Sequence, residues 1–304
     1  MNERFIRHYR SILIIYLFLS ARGIAQEFQI LEFGKVIKYF PLAEVNTYEW
    51  QGYMWNKVQS FSQLFDYDDK KNLQTVTFQN WDRSVPRNDK KYTFRYDDKN
   101  NLAEMDYFEF INSSWEVRGK TMFSYNENND CSSILEYRYR EEDSTLVKYH
   151  IIQNYYNSDN NLVQSTSKIW KNLKYVNFSK QLYYLDTDGN LILSELQKWE
   201  KNNWVNLFRI VYVDDRKENL SYRTKQSWID STWVDKIKIV ENYTEDGLLH
   251  EEIKSIWNEL NWLDESKWIN NYDSNNRIFE QYYFYKGTEV WSRRKKLEYL
   301  YHEK

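Results

Sequence analysis

The chain has 304 residues, 42 Lys and Arg against 45 Asp and Glu, and a formal charge of −3, with the two signs interspersed throughout. That balance provides no basic field for nucleic acid or an anionic membrane, so no nucleic-acid partner is expected. A single cysteine excludes an intramolecular disulfide, and stability must come from packing.

The first 25 residues read as a secretory signal peptide: Arg4, Arg7 and Arg10 precede the apolar run Ile12 to Leu19, and Gly23 and Ala25 offer small residues for cleavage. The run is too short to cross about 30 Å of hydrocarbon as a helix, so no membrane span is expected after cleavage. Removing it takes away four Arg and one Glu and leaves a formal charge of −6. Residues 26–41 are expected to cap the domain that follows.

From residue 42 onward the chain repeats about every 29 residues. An aliphatic anchor stands at Leu42, Leu73, Leu102, Cys131, Leu162, Leu191, Leu220, Leu249 and Ile278, which marks nine copies. Eight residues beyond the anchor stand Trp50, Trp81, Phe110, Tyr139, Trp170, Trp199, Trp228 and Trp257, with Lys286 in the last copy. Thirteen beyond it stand Trp55, Trp115, Tyr175, Trp204, Trp233, Trp262 and Trp291, with Pro86 and Ser144 as departures. Twelve of the thirteen tryptophans fall on these two positions, and only Trp268 lies off them. Cys131 holds an anchor position, and its expected role is that of a small buried hydrophobe.

The segment from anchor to first aromatic is rich in β-branched and aromatic residues, as in Leu73, Thr75, Val76, Thr77 and Phe78, and predicts a strand of about nine residues. Four polar residues then predict a loop closed by a cross-strand aromatic pair such as Trp199 and Trp204. A returning strand of about ten residues runs to a turn opened by Tyr and rich in Asp, Asn and Gly, as in Asp186 to Asn190. The even offsets predict that anchor, both aromatics and the turn tyrosine share one face. In the two longer copies the extra two residues are expected on the returning strand, where an even insertion preserves the faces.

Nine hairpins give about eighteen strands, more than a flat twisted sheet sustains. The expected fold is all-β: antiparallel hairpins over 42–304 stacked as a coiled meander or solenoid, with a β-propeller as the alternative. The strands lack a continuous alternate apolar face, which argues against a transmembrane barrel.

The recurrent Tyr-Asp-x-x-Asn-Asn-Leu of Tyr67 to Leu73 and Tyr96 to Leu102 resembles the YD motif of Rhs-type hairpin repeats across the turn. From about Leu42 onward the chain is more similar to secreted Bacteroidota proteins with tandem W-x4-W…YD-x-x-G-N-L units. The resemblance implies architecture and an extracellular or cell-surface location, with the periplasm as the other compartment. The type nine sorting domain that often ends such proteins is not visible.

No triad, metalloprotease, phosphate-loop or CxxC motif is visible, and no catalytic residue, cofactor or metal is expected. Asp186, Asp188 and Asn190 have spacing suited to calcium, but turn formation explains them better. The candidate ligand platform is the set Trp50, Trp55, Trp81, Trp115, Trp170, Trp199, Trp204, Trp228, Trp233, Trp257, Trp262 and Trp291, with a hydrophobic core as the competing role. The expected function is non-enzymatic binding or adhesion to a polysaccharide or cell-surface protein. The alternatives are a secreted polysaccharide-active enzyme and a YD-like shell protein.

Overall fold

The structure, a computed structural model, describes residues 42–82, 85–215, 219–287 and 290–301. The expected signal peptide, 1–25, and cap segment, 26–41, lie outside the described residues.

Each copy forms one antiparallel hairpin. In chain order these are β1 (Leu42–Trp50) with β2 (Trp55–Tyr67), β3 (Leu73–Asp82) with β4 (Val85–Tyr96), and β5 (Leu102–Ile111) with β6 (Ser114–Tyr125). Then come β7 (Cys131–Arg140) with β8 (Thr145–Tyr156), β9 (Leu162–Lys171) with β10 (Lys174–Leu185), and β11 (Leu191–Glu200) with β12 (Asn203–Asp215). The last three are β13 (Leu220–Ile229) with β14 (Thr232–Tyr243), β15 (Leu249–Trp257) with β16 (Trp262–Tyr272), and β17 (Ile278–Lys286) with β18 (Trp291–Tyr301). Every anchor opens a strand, and every residue eight further on is its last or next to last.

The expected coiled meander or solenoid is corrected by the strand order, and so is the propeller. All eighteen strands belong to one sheet in which each pairs with its neighbour in sequence. β1 also pairs antiparallel with β18, through Val45 with Tyr299, Thr47 with Leu297 and Glu49 with Lys295. The hydrogen-bonded order therefore closes on itself as a β-barrel. Closure gives both terminal strands a partner, which removes the exposed edges that an open stack would leave.

Two compact units divide the chain, the first taking residues 65–77 and 88–207 of the described chain and the second 42–64, 78–87 and 208 onward. The first buries Leu73, Tyr92, Phe94, Ile134, Ile152 and Tyr183, together with small polar groups such as Ser165, Ser167 and Ser194. The second buries Val45, Phe208, Ile210 and Tyr299, with Ser221 and Asn270 among them.

The single shared face expected for anchor, aromatics and tyrosine is also corrected. Two bulges recur along the hairpins, although the β12–β13 ladder runs without one beside its anchor, Leu220. Beside the anchor, Tyr156 pairs with Leu162 and Tyr155 with Gln164, which leaves Val163 unpaired. On the returning strand, Asn177 pairs with Lys168 and Ser179 with Ser167, which leaves Phe178 unpaired. One extra residue flips every side chain beyond it. The register thus puts Leu162, Ser165, Ser167, Gln181 and Tyr183 on a buried face, and Trp170, Tyr175, Lys168 and Lys180 on the opposite, open face.

The turns explain the rest of the motif. At the tyrosine end, the Asp97 carboxylate accepts the Asn101 N–H at 2.7 Å, the Asn100 N–H bonds the Asp97 carbonyl, and Asn100 has φ of 65°. Asp68, Asn126, Asn157, Asp186 and Asp273 cap their turns in the same way. The residue three after the cap is left-handed, which is why Asn or Gly recurs there. The tyrosine hydroxyl then bonds the carbonyl of its own hairpin's anchor: Tyr96 to Leu73, Tyr125 to Leu102, Tyr156 to Cys131, Tyr272 to Leu249 and Tyr301 to Ile278, at 2.7–2.9 Å.

At the aromatic end the expected four-residue loop is present in the β1–β2 and β15–β16 hairpins and is shorter in four others. Asn112 and Ser113, Asn172 and Leu173, Lys201 and Asn202, and Asp230 and Ser231 are consecutive left-handed pairs. Each is the two-residue turn whose twist matches a hairpin. In the fourth copy the two extra residues lie in this loop and not on the returning strand. Tyr139 pairs with Leu146, and Ser144 ends a four-residue connection.

Candidate binding surface

With the bulges in place, the aromatic positions meet across the hairpin end as direct partners. Trp228 pairs with Trp233, Phe110 with Trp115, Tyr175 with Trp170, Trp50 with Trp55 and Trp257 with Trp262. Their rings, and those of Trp199 and Trp204, lie 4.8–5.2 Å apart at 58–70°. That edge-on arrangement sets the positive ring edge against the negative face of its partner. The described platform tryptophans are all half-buried, neither core nor fully open. Trp81 and its partner position in β4 fall at a hairpin end where 83 and 84 are outside the described residues.

A cation from the preceding hairpin lies over the second aromatic of the next. Lys91 sits 4.7 Å from the Trp115 ring, Lys180 5.0 Å from Trp204, Arg209 4.8 Å from Trp233 and Lys267 4.9 Å from Trp291. Lys148 over Trp170 and Arg293 over Trp50 make similar contacts at 5.2 and 5.4 Å. These contacts combine ring attraction with coverage of the ring by the alkyl stem. An acid two residues after the anchor pairs with the cation eighteen after it: Glu251 holds Lys267 at 2.9 Å, and Glu104 holds Lys120, which lies over no ring among the described residues, at 2.7 Å.

The sequence carried this cation openly. A basic residue stands eighteen beyond the anchor in seven copies, as Lys91, Lys120, Lys180, Arg209, Lys238, Lys267 and Lys296. Aromatic spacing alone does not reveal it. The open face is therefore a ladder of aromatic pairs strapped by cations.

The buried face of the second unit holds a different cluster. Arg223 reaches both Glu241 and Glu252, the latter at 3.0 Å, while Ser221 and Tyr243 donate to Glu241 at 2.7 and 2.9 Å. Burial opposes ionisation of Glu241, yet Arg223 and the two hydroxyls outweigh it and hold the carboxyl below its ordinary value. Burial dominates at Glu252, assisted by the Glu241 charge, and holds that carboxyl above its ordinary value despite Arg223. Trp268, the one tryptophan off the repeat, lies on this face beside Tyr283, 4.8 Å away.

Nothing here assembles a metal site. No group of three metal-ligating side chains occurs among the described residues. The Asp186 carboxylate is occupied by the N–H groups of Asp188 and Asn190 and by the Asn190 amide. Cys131 is buried and unbonded to another sulfur. No described helix is long and apolar enough to cross a membrane.

Pairing and turns together define an all-β barrel of tandem hairpins. The sequence matches no protein-family model and no curated protein. Among solved structures it is similar to a protein of unknown function from Bacteroides fragilis, at 19% identity and a TM-score of 0.35 over 39% of this chain and 89% of that one. A porin-like protein from Bacteroides uniformis aligns over 86% of this chain and 98% of its own, at 7% identity and a TM-score of 0.41. TcdB2-TccC3 aligns over 77% of this chain but 14% of its own, at 13% identity and 0.35. At these levels of likeness nothing about function transfers to this chain.

Proposed function

We propose that the chain is a non-enzymatic scaffold, exported to the cell surface or medium, that binds an extracellular polymer through the open face of its hairpins. The observation that carries this reading is the recurrence of one surface unit, a cation over an aromatic pair, at the first, third, fifth, sixth and seventh hairpins. Consecutive hairpins lie two strand spacings apart, about 10 Å, so a polymer of repeating units meets a repeating surface. Individually weak contacts then add as avidity. The export signal in the sequence supports the location.

The test is retention on immobilised polysaccharides, with Lys91→Met, Lys180→Met and Arg209→Met combined stepwise. Methionine keeps much of each stem over its ring and removes the charge. Stepwise loss of retention is expected. Unchanged retention in the triple variant removes the reading.

A second reading, a polysaccharide-active enzyme, is favoured by Glu241 and Glu252, neighbouring carboxyls driven apart in acidity as acid and base pairs are. Release of shortened oligosaccharide by the wild type, abolished by Glu252→Gln, would replace the scaffold by this alternative.

A further inference from the structure

The open face does not account for the hairpin tips of the second unit. Four of these tips are consecutive, because β13 through β18 pair in order and β18 pairs with β1, which pairs with β2. Each presents an unpartnered apolar side chain to solvent: Ile229 is 40% exposed, Leu260 85%, Val290 73% and Tyr53 80%. Adjacent tips lie about 10 Å apart. Single bulky apolar residues at a turn are ordinary; a row of four is not.

We propose that this row of tips docks on a lipid bilayer surface, holding the second unit against a membrane without crossing it. The order of side chains along the strands carries the choice of occupant. Outermost are the aliphatic and tyrosine tips. Next, one or two residues back, come Trp228, Trp262, Trp291 and Trp55, aromatic groups of the kind that settle at the boundary between acyl chains and headgroups. Beyond them Arg293, Arg294 and Lys295 are exposed in succession on β18, about 10 to 17 Å from Val290 at the usual strand rise. Apolar, aromatic and then cationic groups, read inward from the tip, match the depth order of an interfacial anchor. A folded protein partner would call for a sculpted recess, whereas a fluid surface accepts separate points.

Asp230 and Glu259 are exposed at two of the same tips, so anionic lipid is not the main attraction. Neutral phosphatidylcholine suffices, and phosphate groups meet the arginines. This anchoring goes beyond the polymer reading and stands apart from it, since it uses turn tips of one unit and not the aromatic ladder. Lipid binding and polymer retention therefore fail separately.

The experiment is co-sedimentation of the full chain with phosphatidylcholine vesicles, followed also by tryptophan emission. The wild type is expected to partition into the pellet with a blue shift, and a quarter of phosphatidylglycerol should raise the partition only a few-fold. The triple variant Ile229→Ser, Leu260→Ser, Val290→Ser should partition at least tenfold less. Leu173→Ser, an exposed tip of the first unit, should change nothing. An unchanged circular dichroism spectrum and melting temperature keep the triple variant interpretable, because all three side chains are exposed. Three results overturn the proposal: a wild type that stays in the supernatant, a triple variant that pellets like the wild type, or binding abolished by 0.5 M salt. Self-association through the tips, seen by sedimentation equilibrium and lost in the triple variant without any vesicle binding, would assign the row to a second copy instead.

Discussion

At the scale of single residues, two kinds of buried polar group make opposite use of the same burial. The turn tyrosines donate to the carbonyl of their own hairpin's anchor, and that bond is the physical reason for tyrosine at that place. Burial pushes Tyr96 and Tyr301 up to about 12, and Tyr125 and Tyr156 further still. Unfolded phenols ionise near 10, so this contribution is complete below pH 10 and is lost as pH rises through 12. Urea midpoints between pH 9 and 12 should fall steeply. Tyr96→Phe should cost about 1 kcal/mol at pH 8 for the lost bond and flatten the alkaline decline. Arg223 works differently, since it is one cation serving two carboxylates. Arg223→Met should destabilise by about 1–3 kcal/mol at pH 7, less than for a fully buried pair because water reaches these side chains. Glu252→Gln should be neutral or stabilising there, because the folded state holds that proton more tightly than the unfolded one and gives stability up as pH climbs above the ordinary carboxyl range. Denaturation of both variants at pH 4 and pH 7 checks the pair of signs.

At the scale of the hairpin, the sequence showed strand starts, strand ends and cross-strand partners well, because the anchors and aromatics repeat at fixed separations. It failed on faces. Even offsets imply a shared face only where pairing is unbroken, and residues such as Val163 and Phe178 drop out of register without any change in spacing. No residue type marks them: a bulge beside an anchor is Ala103 in one copy, Ser132 in another and His250 in a third. The consequence for the aromatics is concrete. Trp233, half-buried against Trp228 and roofed by Arg209, should cost about 2 kcal/mol when changed to Ala, from the edge-on pair plus part of its apolar area. Trp233→Phe should recover most of that, and Arg209→Met should cost under about 1 kcal/mol. A loss below about 0.5 kcal/mol for Trp233→Ala would mean that the pair contributes nothing to the fold.

At the scale of the whole molecule, the decisive contact joins residues some 250 apart, where Tyr48 donates to Glu298 at 2.7 Å beside the β1–β18 ladder. Local periodicity is blind to it, because every copy looks alike and nothing in a repeat says whether the last unit meets the first. An open stack and a closed ring share the same 29-residue pattern, yet they respond oppositely to shortening. In a solenoid each unit contributes locally, so removing one hairpin lowers stability by one interface. In a closed order, removing the last hairpin strips partners from two strands at once and exposes the edges of β1 and β16. Truncation after Tyr272 should therefore lower the melting temperature far more than a one-ninth share and promote edge-to-edge association, visible as oligomers in size exclusion. Charge reversal at Glu298 with compensation on β1 supplies a milder probe: Glu298→Lys alone weakens the seam next to Lys296, and adding Tyr48→Glu restores an opposite-charge pair across it. A truncated chain that stays monomeric and loses stability only in proportion to its length would mean that the seam between first and last strands contributes no more than any other.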